Sequence, residues 1–370
     1  MLYILAGILL FGVIVLVHEF GHFLFAKLNG IGVVEFSIGM GPRLCSFMRG
    51  DTRYSIKCLP FGGSCMMVGE DVDNPDPSAF NNKSVWARIS VIAAGPVFNL
   101  IFALLCAMII VAQVGHDLPV LYDIVEDSPA ARAGLLPGDE LIRINNRKIS
   151  SRRDVSLYLM AHPGEPLTIH YKRLSGTQQS EGQKLEAQES EKQQRKGMSA
   201  EYVTELVPEY NEEYQSYMMG VSFMGNYKKA ENPLEFLNYS LYEVKYCIVT
   251  TIDGLGMLFK GQMKVEDSVT GPVGIVSMVG ETIEEGQKSG AAVLLNIIAT
   301  WGLLLSATLG IMNLLPIPAL DGGRLLFLLI ELLRGRPVDP EKEGMVHAAG
   351  MALLMMLMVL VLFNDIRKLM

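Results

Sequence analysis

The feature that most constrains this chain is a pair of histidines inside an apolar segment long enough to cross a membrane. Residues 13–28 read VIVLVHEFGHFLFAKL and belong to a hydrophobic run that begins near the first residue. They contain an HExxH pattern formed by His18, Glu19 and His22. Because residues four apart share one face of a helix, the two histidines point the same way and can bind one metal ion. Glu19 is adjacent, where it can act as a general base toward water.

The membrane setting makes this HExxH more specific than one in a soluble helix. Ionisable side chains are costly in the hydrocarbon core, so they are found there mainly where they serve a function. A buried polar cluster without metal is the structural alternative, but zinc (Zn2+) would satisfy all three groups. A catalytic zinc site takes three protein ligands. Glu35 in the next loop and the distant Asp321 are candidates for the third, whereas the metzincin position after His22 is Leu28.

Composition indicates a membrane protein with one soluble insert. Of the 370 residues, 50% are hydrophobic and 19% are charged, whereas soluble domains average about 25% charged residues. The formal charge of −8 argues against a nucleic-acid partner. The five cysteines form no CxxC pair, so neither a disulfide framework nor a cysteine zinc site is indicated.

Four segments are apolar over about the 20 residues that a membrane helix needs. They lie at residues 3–28, 89–114, 292–315 and 346–363. The first lacks the basic start of a signal peptide, so it is interpreted as a retained transmembrane helix. The segments therefore predict a polytopic α-helical membrane protein with four transmembrane helices.

The distribution of Lys and Arg predicts how these helices are oriented. The short loops between the first two spans and between the last two are rich in basic residues, which places both in the cytoplasm. Both termini and the long 116–290 region then lie outside it. His22, Glu19 and the end of the third span fall toward the cytoplasmic side.

Residues 31–68 are interpreted as short strands and turns, because apolar and polar residues alternate between glycine-rich turn signals. Two interpretations stay open: a membrane-associated β-hairpin that reaches in beside the site, and a plain cytoplasmic hairpin. In the first, a strand edge could hold an unwound substrate by β-augmentation.

Residues 119–174 predict a soluble α/β domain. Within EDSPAARAGLLPGDELIRIN, Ser128 and Pro129 begin a short helix, and Pro-Gly-Asp turns into a strand. Residues 175–200 are polar and low in complexity, which indicates an extended hairpin or a disordered insertion. The motifs TELVPEY and MMGVSFM are expected to add further strands.

The region that follows predicts helices outside the cytoplasm. Residues 232–262 combine helical spacing of apolar residues with several charges, so they are interpreted as one or two amphipathic helices on the outer face of the membrane domain. The Gly-Pro-Val-Gly sequence at 271–274 is interpreted as a loop.

NLLPIPALDGGR, after the third span, is the candidate second half of the site. Asp321 is expected at a helix N-terminus, followed by two glycines that allow close approach of the backbone. It is favoured over Glu35 as the third ligand, and an N-cap role is the structural alternative. Asn313 could hydrogen-bond a substrate backbone or orient the site. Asn99 in the second span could do the same or pair with a neighbouring helix.

These motifs together resemble the site-2 protease family of intramembrane zinc metalloproteases. HEFGH in the first span, the insert and NLLPIPALDGG carry the resemblance, which covers residues 1–370 except the polar insert. It is closest to the bacterial regulator-of-sigma branch, whose members cut membrane-spanning anti-sigma factors. The SPAxxAGLxPGD pattern resembles a PDZ domain of bacterial proteases, and the chain has room for one.

The resemblance implies zinc on His18, His22 and Asp321, with Glu19 as base and acid. It also implies substrate contacts near Asn313 and Pro316, with Asn99 a further candidate. The implied activity is cleavage of single-span membrane proteins, anti-sigma-like substrates or remnant signal peptides, in regulated intramembrane proteolysis after a first extracytoplasmic cut.

The expected organisation is a membrane domain at 1–115, a PDZ-like domain at 116–227 with its insert at about 175–200, amphipathic helices at 228–290 and a second membrane segment at 291–370. The chain is expected in the bilayer of the bacterial inner membrane, with both termini and the PDZ-like domain outside the cytoplasm. A non-catalytic membrane scaffold that binds peptides through the PDZ-like domain is the alternative. A metal transporter would need more polar residues in the second and fourth spans.

Overall fold

The structure, a computed structural model, describes residues 2–70, 74–174, 199–223, 225, 227–262 and 271–369. Its contacts divide the chain into a helical unit, Met1–Gln113 with Ser240–Met370, and a β-rich unit, Val114–Tyr239. The polar insert expected at 175–200 lies outside the described residues, except for its last two positions.

The helices are α1 (Leu2–Leu28), α2 (Val85–Gln113), α3 (Pro129–Arg132), α4 (Arg152–Ala161), α5 (Pro233–Phe259), α6 (Pro272–Ser289), α7 (Ala291–Leu314), α8 (Asp321–Arg334) and α9 (Pro340–Leu369). The strands are β1 (Val33–Arg49), β2 (Thr52–Met67), β3 (His116–Asp117), β4 (Leu121–Ile124), β5 (Glu140–Ile144), β6 (Arg147–Lys148), β7 (Leu167–Leu174), β8 (Ser199–Leu206), β9 (Glu209–Asn211), β10 (Ser216–Met218), β11 (Val221–Phe223) and β12 (Tyr227–Lys228).

Four of these helices are long and apolar enough to cross a membrane, as the sequence predicted. Their apolar segments are Leu5–Leu28, Val85–Gln113, Ala291–Leu314 and Glu341–Asp365. The second and fourth helices begin four and six residues earlier than hydropathy placed them. Helical hydrogen bonding continues through polar residues at an end, where hydropathy no longer marks the helix.

The sheet of the helical unit is built from two long strands rather than several short ones. Each bends, so that Ser37 in β1 lies opposite Ser64 on one side and Ser55 on the other. The inner part of β1 is therefore covered at both edges, and Glu35 and Ser37 are buried. Residues 40–51 are exposed throughout.

The β-rich unit has an apolar core between a four-stranded sheet, in the order β6-β5-β7-β8, and two short helices. The Ser128 hydroxyl accepts a hydrogen bond from the Ala131 amide and caps α3, with Pro129 at its first position. A capping box formed by Ser151 and Asp154 begins α4. The elements β4, α3, β5, α4 and β7 alternate strand and helix, and α3 and β5 are the short helix and the strand that the sequence predicted.

The region at 232–262 is one continuous helix, α5. Its Val244 and Cys247 join a buried cluster with Ala103 and Cys106 of α2 and Leu303 of α7. The second half of α5 thus packs into the helical core, since its apolar side finds small residues on α2.

The prediction of a loop at 271–274 was wrong, because these residues begin helix α6. Gly271 is the N-cap and Pro272 the first helical residue, a position that proline favours. The buried Asp365 carboxylate accepts hydrogen bonds from the Gly271 and Gly274 amides at 2.9 and 3.0 Å. Gly-Pro indicates a turn by itself, but this distant carboxylate satisfies the free amides that begin a helix.

Candidate metal centre

The two histidines of α1 face each other in the interior of the helical unit. His18 and His22 are one helical turn apart, each is 7% exposed, and their Nε2 atoms are 3.2 Å apart. Close packing of α1 on α2 keeps them buried. A Cβ on Gly21 would lie 2.8 Å from the Ala94 carbonyl carbon, so the two helices cross at this glycine.

The carboxylate of Asp321 meets both histidines. Its Oδ2 lies 3.1 Å from His18 Nε2 and 3.6 Å from His22 Nε2. Among the described residues, no hydrogen-bond donor is aligned with this buried oxygen. The structure therefore brings together two imidazole nitrogens and one carboxylate oxygen from opposite ends of the sequence.

These three atoms have the spacing that a tetrahedral metal site requires. Ligand atoms about 2.05 Å from a shared tetrahedral centre are about 3.3 Å from one another. The observed separations of 3.1, 3.2 and 3.6 Å lie around that value. Two neutral imidazoles and a carboxylate are also a donor set that zinc takes in catalytic sites, so His18, His22 and Asp321 could hold a zinc ion.

The chain before Asp321 folds back tightly on the start of α8. A Cβ on Gly323 would lie 2.6 Å from the Ile317 carbonyl oxygen, and one on Gly322 would strike that of Leu315. Ala319 has a left-handed φ of 76°. Leu320, not Asp321, is the N-cap residue, and no side chain caps the helix there. The carboxylate is therefore free of the capping role.

Two contacts hold this loop and helix in place. The Ala319 amide donates to His347 Nδ1 of α9 at 3.1 Å. Arg324, one turn after Asp321, pairs at 2.5 Å with Glu70, which lies three residues after the end of β2. The position of the carboxylate thus depends on both α9 and the sheet.

Glu19 lies beside the backbone of β2. A Cβ on Gly63 would be 3.2 Å from Glu19 Cγ, so a larger residue would have to push Glu19 or the strand aside by a few tenths of an ångström. The nearby Cys65 thiol has a pKa raised by burial and by the negative charges of Glu19 and Glu70. It therefore stays protonated near neutral pH.

Glu35, the alternative third ligand, is engaged elsewhere. Its carboxylate accepts hydrogen bonds from Arg43 at 2.7 Å and from Ser55 at 2.5 Å. The hydrogen bonds from Arg43 lower the pKa of Glu35 to about 2, against the effect of burial. It is not part of the group formed by His18, His22 and Asp321.

The three residues proposed for substrate contact occupy different environments. Asn313 is half-buried in the last turn of α7, and Pro316 is exposed just after it. Asn99 is fully buried, and its side-chain amide lies 3.2 Å from His18 Nδ1. In this structure the side chain of Asn99 therefore contacts a histidine.

The role of α2 behind the histidines was not predicted from the sequence. His22 Nδ1 donates to the Val91 carbonyl at 2.9 Å. A Cβ on Gly95 would lie 2.8 Å from His18 Cε1 and would strike the His22 ring. A backbone carbonyl leaves no trace in a sequence, but a glycine inside an apolar span, before Pro96, was a usable signal of close packing.

Comparisons with known proteins agree with this geometry. Residues 6–357 match the model of Peptidase family M50. A Clostridium acetobutylicum protein, provisionally named a zinc metalloprotease, is 37% identical over 98% of this chain and 97% of its own length. The zinc metalloprotease RasP of Geobacillus kaustophilus is 32% identical, and the regulator of sigma-W protease RasP of Bacillus subtilis is 30% identical, each over 99% of this chain and 98% of its own length. The chain therefore belongs to peptidase family M50, the site-2 proteases.

Proposed function

We propose that this chain is an intramembrane zinc metalloprotease that cuts the membrane-spanning segments of its substrates. The observation that carries the proposal is the convergence of His18 and His22, on a helix of membrane length next to Glu19, with Asp321 at the start of α8. These three side chains are the proposed zinc ligands. The zinc metalloprotease names of the relatives support the choice of metal.

Zinc and Glu19 have separate tasks in peptide hydrolysis at this site. Zinc, when bound, lowers the pKa of a water ligand toward about 7 and polarises a carbonyl group. The Glu19 carboxylate takes the proton that the attacking water releases. It then passes this proton to the leaving amine nitrogen, so the C–N bond breaks without forming an amide anion. General acid–base catalysis of this kind contributes about 10²–10⁴-fold to the rate.

Substrate binding is proposed along β2. A transmembrane helix hides its peptide groups in its own hydrogen bonds, so it must unwind before cleavage. The backbone at Gly63 passes beside Glu19, and an extended segment paired with this strand would present its peptide groups there. Asn313 and Pro316 are proposed to contact the unwound segment from the end of α7. The sheet is accordingly proposed to be membrane-associated.

The β-rich unit is proposed to be a PDZ-like domain outside the cytoplasm. The order of β4, α3, β5, α4 and β7 supports this assignment. The proposed organisation keeps membrane segments at 1–115 and 291–370, the PDZ-like domain at 116–227 and extracytoplasmic helices at 228–290. The chain would cross the bacterial inner membrane four times, with both termini outside.

Single-span membrane proteins, such as anti-sigma factors or remnant signal peptides, are the proposed substrates. The name of the Bacillus subtilis relative, a regulator of sigma-W protease, supports the first class. We propose that another protease first trims the substrate outside the cytoplasm and that the PDZ-like domain admits the trimmed form. The full-length protein should then cut a trimmed single-span substrate faster than the same substrate with a folded outer domain. Equal rates would contradict this selection.

The activity is tested with purified protein in detergent and a trimmed single-span substrate. Wild type is compared with Glu19→Gln, Asp321→Asn and a control, Glu285→Gln, whose side chain is exposed on α6. Wild type and the control should cut equally. Glu19→Gln should lose about 10²–10⁴-fold in rate but keep its zinc. Asp321→Asn should lose both its activity and its zinc, because the substitution removes a zinc ligand.

Each variant separates one part of the proposal. Equal cleavage by Glu19→Gln and wild type would remove the protease mechanism and favour a membrane scaffold. A full zinc content in Asp321→Asn would remove Asp321 from the ligand set and leave the reaction class standing.

A further inference from the structure

One face of α2 contacts both proposed zinc ligands from behind. Val91, Gly95 and Asn99 are spaced four residues apart and so share that face. The Val91 carbonyl is 2.9 Å from His22 Nδ1, and the Asn99 amide is 3.2 Å from His18 Nδ1. Gly95 lies between them, against both rings. The two Nε2 atoms lie 3.1 and 3.6 Å from Asp321 Oδ2, and His22 Nε2 also lies against Gly95, where a Cβ would strike it.

A histidine that binds a metal through Nε2 carries its proton on Nδ1, and that proton needs an acceptor. For His22 the acceptor is a backbone carbonyl, which can only accept. The Val91 carbonyl therefore fixes the tautomer of His22 and leaves the Nε2 lone pair available.

For His18 the corresponding group is a side-chain amide, which has two ends. If Asn99 Nδ2 faces Nδ1, it donates, and the proton of His18 sits on Nε2, which leaves that nitrogen no lone pair for a cation, although Asp321 Oδ2 3.1 Å away is not aligned to accept the proton. If Asn99 Oδ1 faces Nδ1, it accepts, and the Nε2 lone pair is free for a cation. With Nδ2 toward His18, the fully buried Oδ1 finds no partner among the described residues. The orientation of one amide thus decides whether His18 can act as a ligand.

We propose that Asn99 is a positioning residue that selects the metal-binding tautomer of His18 by accepting its Nδ1 proton. The inference rests on the proposed function of His18 as a zinc ligand. Of the roles that the sequence left open for Asn99, it favours orientation of the site and specifies the histidine on which Asn99 acts.

The surroundings of Asn99 fit a fixed role. Ser306 of α7 donates its hydroxyl proton to the Asn99 backbone carbonyl at 2.8 Å. A Cβ on Gly310 would lie 3.3 Å from Asn99 Cβ, so the two helices are in close contact there. The backbone of Asn99 is therefore held, while its amide can turn about its own side-chain bond. His22 has no comparable freedom, because its acceptor belongs to the main chain.

The test compares two replacements of similar size. Asn99→Leu removes the acceptor, whereas Asn99→Asp keeps it as a carboxylate. The control is Asn296→Leu, the same change in another membrane-length helix, where the side chain accepts from Thr300. Zinc affinity is measured in detergent by competition with a chromophoric chelator. The visible spectrum of the Co2+-loaded protein reports ligand geometry without reference to activity.

Asn99→Leu should weaken zinc binding by about 10–100-fold, the usual loss when the partner of a ligand histidine is removed. Its Co2+ spectrum should also change. Asn99→Asp and Asn296→Leu should each stay within about threefold of wild type, below that loss.

Zinc binding by Asn99→Leu as tight as that of wild type would overturn the inference. So would an equal loss in Asn99→Asp and Asn99→Leu with equally lowered melting temperatures, because both would then reflect packing. If wild type itself binds no zinc in the same titration, the proposed function fails. That result is distinct from a failure of Asn99 alone.

Discussion

The two units of this chain use buried polar side chains in opposite ways. In the β-rich unit, Asp139 is paired with Arg173 by two bonds of 2.7 Å, and Asp154 completes the capping box of α4. These groups satisfy backbone amides and charges. In the helical unit, His18, His22 and Asp321 converge on one another, and Asp321 Oδ2 has no aligned donor among the described residues. Converging imidazoles and a buried carboxylate oxygen without an aligned donor in the described part of the chain indicate a binding site for a cation.

The difference teaches how stability and function separate in one chain. A paired buried charge supports the fold, and removal of one partner costs about 3–5 kcal/mol when the other stays buried. A cluster of side chains that forms a binding site does not stabilise the fold by itself. The surrounding structure holds its side chains in place. Substitutions in the two units should therefore affect different measurements.

The largest effect is expected for His18→Ala. It removes a proposed ligand, so zinc content should fall from about one ion per chain to near zero, in line with the three protein ligands that such a site needs. Proteolytic activity should be lost with it. The metal-free melting temperature should fall only slightly below that of metal-free wild type, because the hydrogen bonds removed are those with Asn99 and His22. A large drop in that temperature would show that the cluster is structural.

Gly95→Ala is expected to come next, because its Cβ would lie 2.8 Å from His18 Cε1 and would strike the His22 ring. The rings must shift, and misplacement by about 1 Å can cost about 10²-fold in rate. The matched control is Gly344→Ala in α9, where a Cβ meets nothing within 4 Å. Zinc affinity and cleavage rate should fall in the first variant alone. Equal behaviour of the two would mean that α2 does not set the histidine positions.

Asp139→Ala should show the opposite pattern in the β-rich unit. Its side chain is 1% exposed and that of Arg173 is 28% exposed, so water offsets part of the loss. The expected destabilisation is about 2 kcal/mol, below the range for fully buried pairs. Faster hydrogen exchange in β5 and β7 would report it, with zinc affinity unchanged. Weaker zinc binding in this variant would show that zinc affinity depends on the stability of the β-rich unit.

The smallest effect is expected from protonation of Glu35. This residue lies in the helical unit, but its carboxylate is paired with a charged side chain, as Asp139 is in the β-rich unit. Its pKa is about 2 in the folded chain, below the ordinary value of 4.5. The ionised form therefore stabilises the sheet above about pH 4.5, and this contribution is lost as pH falls toward 2. Hydrogen exchange of β1 should accelerate over that range in wild type and less in Glu35→Gln. The same pH response in both would exclude Glu35 as its source.

Several parts of the fold could be predicted because they depend on local pattern. Hydropathy located the four membrane-length helices, and Ser128-Pro129 marked the start of α3 through its own capping chemistry. Helix α6 could not be predicted in this way. Its first turn is completed by Asp365, more than 90 residues away in the chain, while the local Gly-Pro sequence resembles a turn.

The sequence by itself determined that His18 and His22 share a helix face with Glu19 beside them, since that depends only on helical periodicity. It also ranked Asp321 above Glu35 through predicted depth. Only the tertiary structure decided that Asp321 meets both imidazoles at 3.1 and 3.6 Å while Glu35 is held by Arg43. It alone placed the α2 groups behind the rings, because contacts between distant helices depend on how closely small residues let them pack.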